Sequence, residues 1–328
     1  MIAVGLVLVA QAAGVLDGTE LRSVDARFDV RGDRGAPAEV VVVAVDDVTF
    51  DELDRRWPFP RSLHGRVVSE LAAAEPRAIA VDIQFTEPSR NPAQDNALIE
   101  AVASAGGVVL ATTETTEDGE SRVFGGEEVL REIGARSGNA LMPTDPGGIM
   151  RRLPYDVGGL KTFAIVAAEQ ALGRPIARAE LGGRTALIDY AGPPGSVETV
   201  SYAHVLDGRV PASTFRDRVV VVGPSATSLQ DLHPTSTTEN DVMSGAEIQA
   251  NAIVTALRGF PLQSGPGWLD ALLLVGLGLL GPAVLALLRP RARGAAARGP
   301  PGRAARGRPA GARPTSPGPT AGESHAGP

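Results

Sequence analysis

The chain has 328 residues, 43% of them hydrophobic, and a formal net charge of −7. That is enough apolar side chain for one large or two ordinary domains, so a chain disordered throughout is excluded. There is no cysteine, which rules out disulfide staples, thiolate zinc sites and a cysteine nucleophile. The charge is unevenly divided. Residues 289–328 hold eight Arg and a single acid, Glu323, so this tail carries +7 and the remainder −14. Lys161 is the only lysine, and the preference for Arg, Ala, Gly and Pro reads as coding bias and points to no function.

In chain order, residues 1–16 come first. Ile2 to Leu16 is apolar or small apart from Gln11, but it falls short of the roughly 20 residues that cross a bilayer. It reads as part of a transmembrane helix or as a signal segment. Ala10-Gln11-Ala12 has the small-x-small form of a cleavage site, while no charged leader precedes it, which points to a start upstream. A buried N-terminal strand or helix is the alternative.

Residues 17–266 form the body, where short β-branched runs alternate with helix-like stretches. Val40 to Val45, Ala78 to Phe85, Val108 to Thr112, Thr185 to Tyr190 and Val219 to Val222 are predicted strands. Several are apolar throughout, as strands buried on both faces are. Predicted helices are Ser62 to Ala74, Asp95 to Ala105, Thr162 to Leu172, Ser201 to Leu206 and Gly245 to Leu257. In the first of these, Ser62 is the expected N-cap, and Leu63, Val67 and Leu71 form one apolar stripe. Alternation of strand and helix predicts the α/β class, a mostly parallel sheet with helices on both faces, here flanked by membrane helices.

Residues 267–288 are the predicted transmembrane helix. Ala271 to Leu288 is 18 residues without a charge, with Trp268 before it and Arg289, Arg291 and Arg293 after it. By the positive-inside rule the C-terminus is cytoplasmic and residues 17–266 are extracytoplasmic, placing the chain in the cell membrane. Gly276-Leu277-Gly278-Leu279-Leu280-Gly281 has the letters of a dinucleotide fingerprint, but no strand precedes it and no ribose-binding acid follows. Small residues at that spacing instead allow close approach of two membrane helices, and so a homodimer. Residues 289–328, with eight Pro and eight Gly, are expected to be disordered. This basic tail could bind anionic membrane lipid; without aromatic side chains to stack bases, nucleic acid is not an expected partner. Out-of-frame coding sequence would give the same composition.

Candidate chemistry sits at strand ends, where ligands collect in open parallel sheets. Asp46 and Asp47 follow the first strand, Asp82 and Glu87 the second, and Ser225 and Asp231 the last. Paired carboxylates there could bind a cation or do acid/base work, or they could cap helices and pair with Arg55, Arg56 and Arg61. An extracytoplasmic hydrolase or metal-dependent enzyme would need Asp46, Asp82 and Asp231 to converge. Gly223-Pro224-Ser225-Ala226-Thr227 resembles a nucleophile elbow but has Thr in place of the second Gly, and a polar loop follows instead of a helix. Asp231 and His233 are too near Ser225 in sequence for the usual triad. His64, His204 and His325 lack metal-ligand spacing, so no catalytic residue, metal or cofactor is expected.

The order of motifs carries a resemblance. Val41 to Asp47, then Trp57-Pro58-Phe59-Pro60-Arg61 opening a helix, then Ala78 to Glu87 and Asp95 resembles the start of a CHASE domain of the second type, a cyclase- and histidine-kinase-associated sensing extracellular domain. It continues through Gly138-Asn139, Gly148, Arg151-Arg152, the helix at Phe163, Phe215 to Gly223 with Asp231, and Gly245 to Asn251. It covers about Asp17 to Pro261, and Trp57, Pro58, Gly223, Gly245 and Asn251 are its structural signature. The resemblance implies a membrane-anchored extracytoplasmic sensor of a bacterial signal-transduction receptor, not itself an enzyme, that answers to an unidentified extracytoplasmic ligand. Asp46, Arg61, Asp82 and Asp231 are its candidate ligand-binding residues. Trp57 is expected to anchor packing and Arg61 to brace a carboxylate such as Asp82. No output domain is readable in this chain, which leaves two readings: a truncated or frameshifted receptor, or a sensor that acts through a separate cytoplasmic output protein.

Overall fold

The computed structural model describes residues 17–123, 125–238 and 241–262, together with residues 276, 279 and 280. The predicted segments at 1–16, 267–288 and 289–328 lie outside the described residues, apart from those last three, which are helical. Among the described residues no helix is long and apolar enough to cross a membrane.

The chain enters through α1 (Asp17–Arg31), followed by β1 (Val40–Val45), α2 (Asp47–Leu53), α3 (Arg61–Ala72), β2 (Ala78–Val81), α4 (Pro92–Ala105), β3 (Val108–Thr112), α5 (Gly126–Glu132) and β4 (Arg136–Asn139). Three short strands, β5 (Arg152–Pro154), β6 (Asp156–Val157) and β7 (Leu160–Lys161), lead to α6 (Phe163–Leu172), β8 (Thr185–Leu187), β9 (Thr199–Ser201) and α7 (Tyr202–Leu206). Then come β10 (Val219–Pro224), β11 (Leu232–His233), β12 (Met243–Ser244) and α8 (Gly245–Leu257). Six strands form one parallel sheet in the order β4-β3-β2-β10-β1-β9. The other six make three small antiparallel pairs, β5 with β8, β6 with β7 and β11 with β12.

Pleating explains the apolar runs. Val40, Val42 and Ala44 point into a core shared with α6 and α8, whereas Val41, Val43 and Val45 point into a second core with α3, α4 and α7. Helices therefore cover both faces, as the alternating pattern implies. Two expected strands differ from observation. The second ends at Val81, because at Asp82 the chain leaves the sheet, although Ile83 and Phe85 stay buried. The strand at Thr185 lies outside the main sheet, paired with β5. Helix α3 starts at Arg61 with Pro60 as N-cap, so Ser62 is not the cap; its backbone N–H instead donates to Gln94 Oε1 at 3.0 Å. Val67 and Leu71 of its stripe are buried and Leu63 is half-buried.

Helix α8 is buried along nearly its whole length, and Glu247, Asn251 and Thr255 tie it to a neighbouring loop. Ser244 caps it by accepting from the Glu247 N–H. Glu247 accepts from the N–H groups of Gly195 and Val197, Asn251 Oδ1 from that of Ala191 at 2.9 Å, and Thr255 Oγ1 from that of Asp189 at 2.8 Å. Burial raises the Glu247 pKa, with those loop N–H groups opposing the rise. The signature residue Asn251 is therefore a structural tie, and a buried amide with both ends paired costs nothing in unmet polarity.

Several contacts fix helix α1 to the body. Arg151, only 3% exposed, makes a bidentate pair with Asp25 at 2.8 and 2.6 Å. Phe28 meets Tyr190 edge-on with ring centroids 6.1 Å apart. Arg31 Nη1 donates to Asp189 Oδ1 at 2.5 Å.

Candidate functional site

Placing β10 between β1 and β2 opens a crevice beyond the carboxyl ends of the strands, the usual ligand position in such sheets. A cleft of about 900 Å³ occupies it. Its walls come from the Trp57-to-Arg61 segment, the Asp82-to-Asn91 loop after β2, Leu141 and Met142 after β4, Asp231 and His233 at β11, and the first turns of α8.

Of the four candidate residues, Arg61, Asp82 and Asp231 line this cleft and Asp46 does not. Asp46 caps α2: its Oδ1 accepts from the Thr49 N–H at 2.8 Å, from Thr49 Oγ1 at 2.6 Å and from Ser201 Oγ at 2.8 Å. Asp46 thus serves as the helix cap and as a tie to the Thr49 and Ser201 hydroxyls. The three-carboxylate convergence that the enzyme alternative needs is thus not formed. Among the described residues, no three His, Asp or Glu side chains are grouped to hold a metal ion.

Asp82 follows directly on β2 and its carboxyl makes no hydrogen bond to a described residue. Its pKa is pushed up to about 7, first by burial and then by the charge of Asp231. Two glycines make this pairing possible. A Cβ on Gly223 would lie 3.2 Å from Asp82 Cβ and 3.0 Å from Ala246 Cβ, so β10, β2 and α8 meet only because it has none. A Cβ on Gly245 would come within 2.1 Å of Asp231 Oδ2. The Asp231 carboxylate therefore sits against the first residue of α8, where the helix dipole favours negative charge. His233 Nε2 is 2.9 Å from Asp231 Oδ1.

Arg61 pairs with Asp95 at 2.6 Å and donates to the Glu87 carbonyl, so its carboxylate partner is Asp95 rather than Asp82. This ion pair holds the loop after β2 against the start of α3 and lowers the pKa of Asp95; the Ser89 donors and Arg61 together outweigh the burial that acts against them. The Trp57–Pro58 peptide is cis. Trp57 packs edge-on to Phe59 and His64 at 5.3 and 5.9 Å, as an anchor does, but it is half-buried and also forms cleft wall. His64 itself is buried and hydrogen-bonded to the Tyr202 hydroxyl at 2.9 Å. Burial lowers its pKa to about 4, so it is a neutral part of the aromatic packing.

Sequence reasoning missed two groups. Gln249 lines the cleft, is 4% exposed, and donates from Nε2 to the Ala140 carbonyl at 3.0 Å, yet its Oε1 has no partner among the described residues. Its only advance signal was its place in the Gly245-to-Asn251 motif, facing away from the residues that bind the loop. Met142 and Met150 line the cleft from segments with no periodic pattern. Ser225 fails as a nucleophile: β10 runs on into a 3-10 turn, Thr227–Leu229, and Ser225 is not among the cleft residues.

A doubly covered parallel sheet with a ligand-sized cleft at its carboxyl edge is the scaffold on which open α/β domains hold ligands. The CHASE2 domain model matches residues 2–283, and the chain belongs to that family. CHASE2 domains are extracytoplasmic sensor domains, not catalytic ones. No curated protein and no solved structure matches the chain.

Proposed function

We propose that the protein is a membrane-anchored extracytoplasmic sensor module of a bacterial receptor, with its C-terminus in the cytoplasm and its output delivered through a cytoplasmic domain or partner. The observation that carries this is the extent of the family match, which runs through residue 283 and so takes in most of the uncharged segment Ala271 to Leu288 with the sensor fold. The cleft supplies the input. Asp231 touches the first residue of α8, and ten residues after Leu257 the chain enters the 267–288 segment. A ligand that prefers one setting of Asp231 against Gly245 would bias α8, and hence the membrane segment, between two arrangements.

Topology reporters test this. A reporter fused after Arg293 should be active only in the cytoplasm, and one inserted in the turn from Thr116 to Glu120 only outside it. Activity of the Arg293 fusion on the outer side would sink the proposal.

A further inference from the structure

The cleft floor between β2, β10 and the start of α8 presents three acceptors that meet little in return. Asp82 has no hydrogen bond to a described residue, the Asp231 carboxylate has His233 as its hydrogen-bond partner, and Gln249 Oε1, on a 4% exposed side chain, has none. Among the described lining residues the fixed cations are Arg61, committed to Asp95 and the Glu87 carbonyl, and Arg90, which is exposed. His64 is neutral. The floor is therefore acidic, with both carboxylates charged once Asp82 ionises above about pH 7, and an orphaned buried amide oxygen costs free energy until something donates to it.

We propose that this cleft binds a small organic cation, a primary amine carried on an apolar or aromatic body, with the ammonium held by Asp82 and Asp231 and one N–H given to Gln249 Oε1. On the sensor reading, on which this rests, the amine is the stimulus. An ammonium brings three donors and a positive charge, which complements two carboxylates and one amide oxygen. The walls suit the rest of such a molecule: Trp57, Phe59, Phe85, Met142, Met150 and Ile248 surround the floor with aromatic and flexible apolar surface. A bare divalent ion fits less well, because these groups supply few of the roughly six to eight oxygens that calcium takes. An anion would meet two carboxylates and no uncommitted buried cation.

The test uses the full chain, purified in detergent and freed of metal by chelation, at a pH above 7 where Asp82 is largely ionised. Phenethylamine is titrated by calorimetry beside its neutral and anionic counterparts, 2-phenylethanol and 3-phenylpropionate, with calcium chloride as a separate arm. Phenethylamine is expected to bind at least about tenfold more tightly than the alcohol, and Asp231→Asn to remove most of that preference. Because Asp231→Asn could disturb the start of α8, Gln249→Met, which keeps the volume and removes the orphan acceptor, is tested in parallel and should weaken amine binding several-fold. Equal binding of amine and alcohol, tighter binding of the carboxylate, tighter binding of calcium, or no heat with phenethylamine up to about 10 mM would each overturn the assignment. Such a failure with both topology reporters behaving as stated would remove the ligand class and leave the sensor function standing. Reporters on the wrong sides would remove the sensor reading whatever the amine does.

Discussion

Replacing Arg151 with Ala is expected to lower the stability of the protein by about 3–5 kcal/mol, the usual cost of removing one partner from a buried ion pair. Arg151 is 3% exposed and pairs with Asp25 through two nitrogens, while its third, Nη1, lies 3.6 Å from Asp145 Oδ2. Without the guanidinium, the half-buried Asp25 carboxylate of α1 loses its ion-pair partner, and Asp145, in the segment before β5, is left with Arg152 alone among the described cations. Thermal unfolding of the full chain followed by circular dichroism measures the loss. Unfolding of Arg151→Ala within a degree or two of the wild type would show that the pair with Asp25 is not what holds α1. Arg151→Lys should recover only part of the stability, because a lysine cannot make the bidentate contact.

Asp82→Asn is expected to act in the opposite direction. In the folded protein Asp82 titrates near pH 7, whereas in the unfolded chain it ionises near the ordinary carboxylate value of about 4. Between those values the native state holds a proton that the unfolded state has released, so stability falls as pH rises through that window, and the contribution is lost above about pH 7. An amide cannot ionise and escapes the loss. At pH 8 the variant should be more stable than wild type by about 2 kcal/mol, a figure reduced for the partial exposure of the side chain, and the difference should shrink towards pH 4. Melting curves at pH 4, 6 and 8 check this. A variant no more stable than wild type at pH 8, or equally stabilised at all three values, would place the Asp82 carboxyl in water. A residue that costs stability where it stands, on the floor of a cleft, is the pattern of a binding group.

The core of the sheet was legible in the sequence because burial on both faces leaves a continuous apolar mark: β1, β3 and the valines of β10 occur where their β-branched runs stand. Edge strands were not. β4 is Arg-Ser-Gly-Asn and β9 is Thr-Val-Ser, sequences whose strand state comes from pairing with β3 and β1 rather than from propensity. The site was half legible for a related reason. Strand-end carboxylates are visible in a sequence, so Asp82 and Asp231 stood out with Asp46, but whether such a group caps a helix or faces a cleft depends on what packs over it. Thr49 and Ser201 decide it for Asp46, and the two glycines decide it for Asp82 and Asp231. Nothing in a string of letters says that Gln249 keeps one bond and lacks the other.

The row of side chains by which α8 grips the loop from Asp189 to Val197 sets how movement can spread. Glu247, Asn251 and Thr255 each hold a backbone N–H of that loop, so the helix cannot slide or turn by a fraction without breaking several buried hydrogen bonds at once. Helix and loop therefore travel as one piece. The far end of that piece is Asp189, which also holds Arg31 at the end of α1 and Arg34 beyond it. On the proposed sensor function, a push on the first residue of α8 would reach the helix that follows residues 1–16 through this one piece, so both ends of the body would answer the cleft in step.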